Sequence, residues 1–235
     1  YGRYNNHDDK INKTLKEMIE KKASDVIFKV GSPVRMRIDG ELFCHYPNLL
    51  TEDNMNSLVN EVIEKGHKDI HREHREIVLC FGIKEIGRFR ATIFRQRGTP
   101  VIVIRAINTQ APSFEELNLP AKSLESLCNE KRGLVLITGT TGSGKSTTVA
   151  SMLEYINKNM AKHIVTLEDP IEFMFKDNKS VISQREIRID TESFHRALEY
   201  IMLQTPDIIF IGDIRNSDIM TTALTAAETG QLVVA

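Results

Sequence analysis

Apolar residues near the start of the chain follow a helical period: Ile11, Leu15, Met18 and Ile19 fall on one side of a helix. Ser24 and Asp25 then introduce an apolar run over residues 26–30, a strand, and residues 34–38, closed by Asp39-Gly40, predict a second strand and a hairpin turn. Thr51 is placed to cap a helix whose apolar side is Met55, Leu58, Val59, Val62 and Ile63. Three more strands are expected over residues 76–81, 87–94 and 100–106. Antiparallel strands mixed with helices make residues 11–106 an α+β domain, preceded by a polar tail over residues 1–10.

Residues 107–112, rich in Asn, Thr, Gln and Pro, read as a linker, and Ser113 with Glu116 has the spacing of a capping box ahead of a short helix. From Gly133 onward the texture changes. Apolar strands over 133–138, 163–167 and 207–211 alternate with helices over 145–159, 191–204 and 217–228, the pattern of a parallel sheet wrapped by helices. The second domain therefore covers residues 113–235. Residues 231–235 read as a strand stopping in mid-course, so the sequence is expected to be a piece of a longer chain with this domain incomplete.

Composition narrows the function. Thirty-one Lys and Arg against 32 Asp and Glu leave a net charge of -1, so no global field holds the chain on nucleic acid, which is not an expected partner. No apolar run approaches the roughly 20 residues of a membrane helix, and the polar first ten residues lack the apolar core of a signal peptide. Cys44, Cys80 and Cys128 are far apart and expected to be reduced, buried thiols.

The chemistry concentrates after Gly133. A buried strand over residues 134–138, a Gly-rich loop and a helix form the context of a phosphate-binding loop. The run Gly139, Thr140, Thr141, Gly142, Ser143, Gly144, Lys145, Ser146, Thr147 is the candidate site for ATP with Mg²⁺. Its glycines let backbone N–H groups approach phosphate, Lys145 would meet the β and γ phosphates, and the Ser146 hydroxyl would ligate Mg²⁺. The apolar strand 207–211 runs into Gly212-Asp213, which sets a carboxylate at the same sheet edge, able to hold Mg²⁺ through water or simply to end a strand in a turn. Glu168, Asp169 and Glu172 cluster after another strand; one of them could orient the attacking water, and a solvated acidic turn around Pro170 would carry the same residues. Arg88, Arg90, Arg95, Arg97 and Arg105 lie in a stretch without an acid, with Arg88 and Arg90 on one strand face. They would meet an anion, either the nucleotide of a neighbouring subunit or a nucleic-acid backbone, or pair with acids such as Glu73 or Glu76. His67, His71 and His74 have helical ligand spacing but read as a solvated helix face.

Together these pieces resemble the secretion and pilus motor ATPases, most closely the PilT-type retraction (twitching-motility) ATPases of type IV pili. The resemblance rests on Ala23-Ser-Asp-Val-Ile-Phe28, Arg37-Ile-Asp-Gly40, Arg88-Phe-Arg90 and Gln96-Arg97-Gly98 in the first domain. In the second it rests on residues 139–148, Leu167-Glu-Asp-Pro-Ile-Glu-Phe173, Gln184-Arg-Glu186 with Asp190-Thr191, residues 206–215, and Ala226-Ala-Glu-Thr-Gly230. It implies a PAS-like first domain, a RecA-like P-loop second domain, and a homo-hexameric ring that hydrolyses ATP to drive pilus retraction. It implies a cytoplasmic protein peripherally attached to the inner membrane, with a pilus platform protein and a paralogous motor ATPase as partners. By the same resemblance Glu172 is the catalytic carboxylate, Asp213 the metal-side acid, and Arg97 and Arg105, or Arg88 and Arg90, reach the nucleotide from the first domain. Asp213 stands where the family usually has Glu, Asn216 where it has Asp, and Glu199 and Leu203 where it has basic residues. The family's histidine motif is expected just after Ala235. Two other readings remain: a weakly catalytic or non-catalytic nucleotide-binding ring partner, and a pilus assembly or secretion ATPase of the same superfamily.

Overall fold

The computed structural model describes residues 8–66 and 76–235. The stretch holding His67, His71, His74 and Glu73 lies outside the described residues, as does most of the polar tail. The chain divides into two compact units, residues 1–107 and 108–235.

In the first unit α1 (Asp8–Glu20) and α2 (Glu52–Lys65) accompany six strands: β1 (Asp25–Lys29), β2 (Val34–Ile38), β3 (Glu41–Tyr46), β4 (Glu76–Ile83), β5 (Gly87–Gln96) and β6 (Thr99–Ile107). They form one antiparallel sheet in the order β3-β2-β1-β6-β5-β4. The hairpin partner β3, whose first four side chains, Leu42 and Phe43 among them, are exposed, carries no alternation to announce it. The period-two rule holds in the other strands. Val26, Phe28, Met36, Phe89, Ala91, Ile102 and Ile104 turn to one face and pack with Ile11, Leu15 and Met18 of α1 and Met55 and Val62 of α2. Thr51 caps α2 in a reciprocal box with Asn54.

The opposite face carries one transverse row. Cross-strand registration sets Arg37 beside Asp25, Asp25 beside Arg105, and Arg105 beside Arg90. Asp25 is 3% exposed. Arg105 Nε donates to its carboxylate at 2.7 Å, the Ser24 hydroxyl donates at 2.8 Å, and Arg37 Nε lies 3.6 Å away. Of the five arginines Arg105 is answered by an acid, and that acid is Asp25, eighty residues upstream, rather than Glu76. Arg97, exposed, sits at the β5–β6 turn with φ of 50°.

The second unit holds α3 (Ala121–Cys128), β7 (Gly133–Val135), α4 (Lys145–Asn159), β8 (His163–Glu168), β9 (Val181–Glu186), α5 (Phe194–Ile201), β10 (Ile208–Ile211), α6 (Ser217–Thr229) and β11 (Leu232–Val234). All its strands run parallel in the order β7-β11-β10-β8-β9. Alternate residues serve opposite faces. Ile164, Ile208, Phe210, Leu232 and Val234 pack against α3 and α4, while Val165, Leu167, Ile209, Ile211 and Val233 pack against α5 and α6. The result is a mixed α/β chain, with its helices on both faces of this sheet.

Three local expectations change. The strand read as buried over residues 134–138 is short and half-buried, with Leu136 47% exposed, because β7 is the edge strand of this sheet. Ser113 and Glu116 make both bonds of a capping box, but the segment they close is a turn, and the helix begins only after Pro120, whose ring ends the preceding geometry. Of the three free cysteines only Cys128 is buried, its thiol pushed up to about 12 by burial, and Cys44 is exposed on β3.

Burial alone would raise the Asp25 pKa, but the hydrogen bonds from Arg105 and Ser24 and the charges of Arg105 and Arg37 hold it below its ordinary 3.8. Its stabilising contribution is thus complete above pH 3.8 and is lost as pH falls through the lower folded value. Asp25→Ala is expected to cost about 1–3 kcal/mol at pH 7 in urea unfolding, and the gap to wild type should close in strong acid.

Candidate functional site

The carboxyl ends of β8 and β10 and the loop between β7 and α4 enclose a cavity of about 510 Å³. Parallel pairing aligns Leu167 with Ile211, so the two strands leave the sheet side by side. Their exits touch. A Cβ on Gly212 would lie 3.2 Å from the Leu167 carbonyl oxygen and 3.3 Å from Glu168 Cα, closer than a side chain comfortably allows.

On one side of the cavity stands the loop. Gly142 and Gly144 take φ of 80° and 92°, left-handed values that glycine adopts without strain. Gly144 is the N-cap of α4, so the helix presents its unpaired N–H groups and positive dipole end to the cavity. A Cβ at Gly139 would meet Ser143 Oγ at 2.6 Å, so a side chain there would have to displace the Ser143 hydroxyl. Lys145 Nζ donates to the carbonyls of Gly139 and Thr140, both at 2.9 Å, which folds its ammonium back over the loop. Thr141, Gly142, Gly144, Lys145, Ser146 and Thr147 line the cavity directly.

Opposite them are the acids. Thr166 and Glu168 follow Ile164 at period two on β8 and so face α4. Glu168 is 6% exposed; its Oε1 accepts from the Thr166 hydroxyl at 2.7 Å and from Gln184 Nε2 at 3.2 Å. Burial pushes its carboxyl up to about 7, against these bonds and one from the Glu172 backbone, with the Glu172 charge adding to the rise. Glu172 and Asp213 line the same cavity and are exposed. The structure thus brings the loop, Glu172 and Asp213 together. The lining comes wholly from the second unit, and Arg97 and Arg105 stand in the first.

The supports were not legible from spacing. β9, absent from the sequence reading, pairs with β8 and supplies Gln184, which also donates to the Phe173 carbonyl and accepts from Phe175 N–H. Buried Glu186 accepts the Ile171 N–H, so both ends of the acidic turn are anchored from one strand. Arg215 is the other residue missed: Nε donates to Asp213 at 2.7 Å and Nη1 to Asp169 at 3.0 Å. Its position two residues after Asp213 was the available signal.

The donor set fits a Mg-nucleotide better than a bare metal. Among the described residues no group of three His, Cys, Asp or Glu could hold a metal ion. Mg²⁺ needs few protein ligands when phosphate oxygens supply the rest, and a hydroxyl at Ser146 and a carboxylate at Asp213 on one cavity suit that division. No helix among the described residues is long and apolar enough to cross a membrane.

A family profile described as "Type II/IV secretion system protein" matches residues 6–235. The chain is similar to the type IV pilus ATPase PilU of Pseudomonas aeruginosa, 38% identical over 95% of this chain and 58% of that protein. It is similar to the type IV pilus retraction ATPase PilT of the same organism, 37% identical over 90% of this chain and 61% of that one. A crystal structure of the pilus retraction motor PilT with bound ADP superposes with a TM-score of 0.86 at 44% identity, covering 96% of this chain and 66% of that one. The chain therefore spans about three fifths of the length of these relatives.

The buried Glu168 yields a pH prediction. Between its ordinary 4.5 and about 7 the folded chain holds the proton that the unfolded chain has lost, so this group's contribution to stability falls as pH rises through that window. Glu168→Gln keeps the acceptor oxygen and removes the titration. It should melt close to wild type near pH 5 and be the more stable of the two at pH 8, by about 2–4 kcal/mol, in parallel denaturation series.

Proposed function

The chain belongs to the type II/IV secretion system protein family, and on that premise we propose that it is the ATP-hydrolysing core of a motor that drives type IV pilus retraction. The observation that carries the reading is the single cavity lined by the phosphate loop, Glu172 and Asp213. The first unit is PAS-like and the second RecA-like, a reading supported by the helix-covered parallel sheet with its phosphate loop at the carboxyl edge. Backbone N–H groups from Gly139 to Gly144 and the α4 N-terminus receive the phosphates, and Lys145 leaves the loop carbonyls for the β and γ phosphates. Ser146 and, through water, Asp213 hold Mg²⁺, which neutralises phosphate charge when bound. Glu172 accepts a proton from the attacking water.

Copies assemble into a homo-hexamer in which Arg97 and Arg105 of one copy act toward the nucleotide of its neighbour. The ring works in the cytoplasm against a pilus platform protein at the inner membrane. A second reading has a specific observation behind it: the acid at position 213 is short and engaged by Arg215, as suits a weakly catalytic nucleotide-binding partner of a paralogous motor.

Lys145→Ala removes a charge-assisted phosphate contact, and ATP should bind about tenfold or more weakly in a titration. Unchanged affinity overturns the nucleotide reading. Turnover of the full-length protein separates the two roles: a motor hydrolyses ATP and loses roughly 10²-fold or more on Glu172→Gln. A passive partner binds ATP with little or no turnover for that substitution to remove.

A further inference from the structure

We propose that Arg215 is a positioning residue of this cavity: its guanidinium braces Asp213 to Asp169 and sets the balance between phosphate and divalent-cation affinity. The inference rests on the nucleotide-binding reading above and adds a residue that the sequence motifs left without a role.

The geometry is specific to arginine. Asp169 follows β8 and Asp213 follows β10, so the two acids sit on separate loops at the exits of neighbouring strands. Nε of Arg215 takes Asp213 Oδ2 and Nη1 takes Asp169 Oδ2. Two donors fixed in one plane thereby join two loops, which a lysine ammonium on a flexible stem does not reproduce. Arg188 approaches Asp169 only to 3.9 Å and does not reach Asp213.

Stability is a poor reason for this arrangement. The Arg215 and Asp213 side chains are 49% and 55% exposed, and ion pairs in such positions contribute little to folding. Charge is the better one. Besides the buried Glu168, which holds its proton to about pH 7, the cavity is lined by three acids, Asp169, Glu172 and Asp213, against two cations, Lys145 and Arg215. Phosphate brings more negative charge to this lining, while a divalent cation is drawn to it. Arg215 counters two of the acids, and it occupies a carboxylate oxygen of Asp213 that would otherwise accept from a cation's bound water. Taking Arg215 away should therefore move the two affinities in opposite directions, which loss of local structure would not do.

The experiment compares wild type, Arg215→Gln and Arg215→Lys. A fluorescent ADP analogue is titrated in EDTA, and Mn²⁺ is titrated without nucleotide, followed by electron paramagnetic resonance. Arg215→Gln is expected to weaken metal-free ADP by about tenfold and to tighten Mn²⁺ by a similar factor. Both changes should shrink as salt is raised. Arg215→Lys should recover only part of the ADP affinity, since the charge returns but one ammonium does not join both loops; full recovery overturns the brace. Affinities that fall together, or that both stay within about twofold while wild type binds ADP, overturn the brace and leave the nucleotide reading standing. A wild type that binds no ADP with or without Mn²⁺ removes the nucleotide reading, and the brace with it.

Discussion

The parallel pairing of β8 with β10 is the constraint on which the site depends. It sets Leu167 against Ile211, so the next residues of both strands emerge together at one edge, close enough that a side chain at position 212 would crowd the β8 backbone. From that single registration follow the buried Glu168, the acidic turn beyond it, Asp213, and the bridge that Arg215 makes between the loops. The phosphate loop reaches the same edge because β7 runs parallel to them and its helix must cross back over the sheet. A slip of one residue in β8 would turn Glu168 toward α5 and α6, into the apolar layer formed by Leu198, Ile201 and Ala223 and away from Gln184.

Burial then divides the labour among carboxylates that look alike in one dimension. Glu168 is enclosed, takes two side-chain hydrogen bonds and holds its proton to about pH 7, whereas Glu172, four residues on and past Pro170, is exposed. A protonated, hydrogen-bonded Glu168 serves as a fixed post for the turn. Glu172 is the one of the two with access to water, and its charge adds to the burial that keeps the proton on Glu168.

What the sequence made legible was whatever local spacing encodes. The change from antiparallel to parallel texture, the glycines of the loop and the acid after an apolar strand all rest on periods of two or 3.6 and on short-range turn chemistry. What it concealed was pairing at a distance. β9 alternates too weakly to read as a strand, yet through Gln184 and Glu186 it fixes the acidic turn. The partner of Arg105 lies on β1, and no window along the chain contains both. The capping box at Ser113 shows the converse: the hydrogen bonds form as the spacing says, but Pro120 decides where the helix begins.

The same distant pairing bears on which arginine is suited to reach a neighbour's phosphate. Arg105 holds Asp25, a carboxylate 3% exposed, and a guanidinium that leaves a buried anion abandons it in a medium where ionised groups are costly. Arg37, at 3.6 Å, is too distant to replace a 2.7 Å charge-assisted bond without moving. Arg97 bears no such obligation: it is exposed at the turn between β5 and β6, and no ion pair among the described residues holds it. Of the two arginines proposed to act across a subunit boundary, Arg97 is therefore the one whose movement toward an anion leaves the first unit's core intact. Arg105 can act in the same way only by giving up its 2.7 Å bond to Asp25.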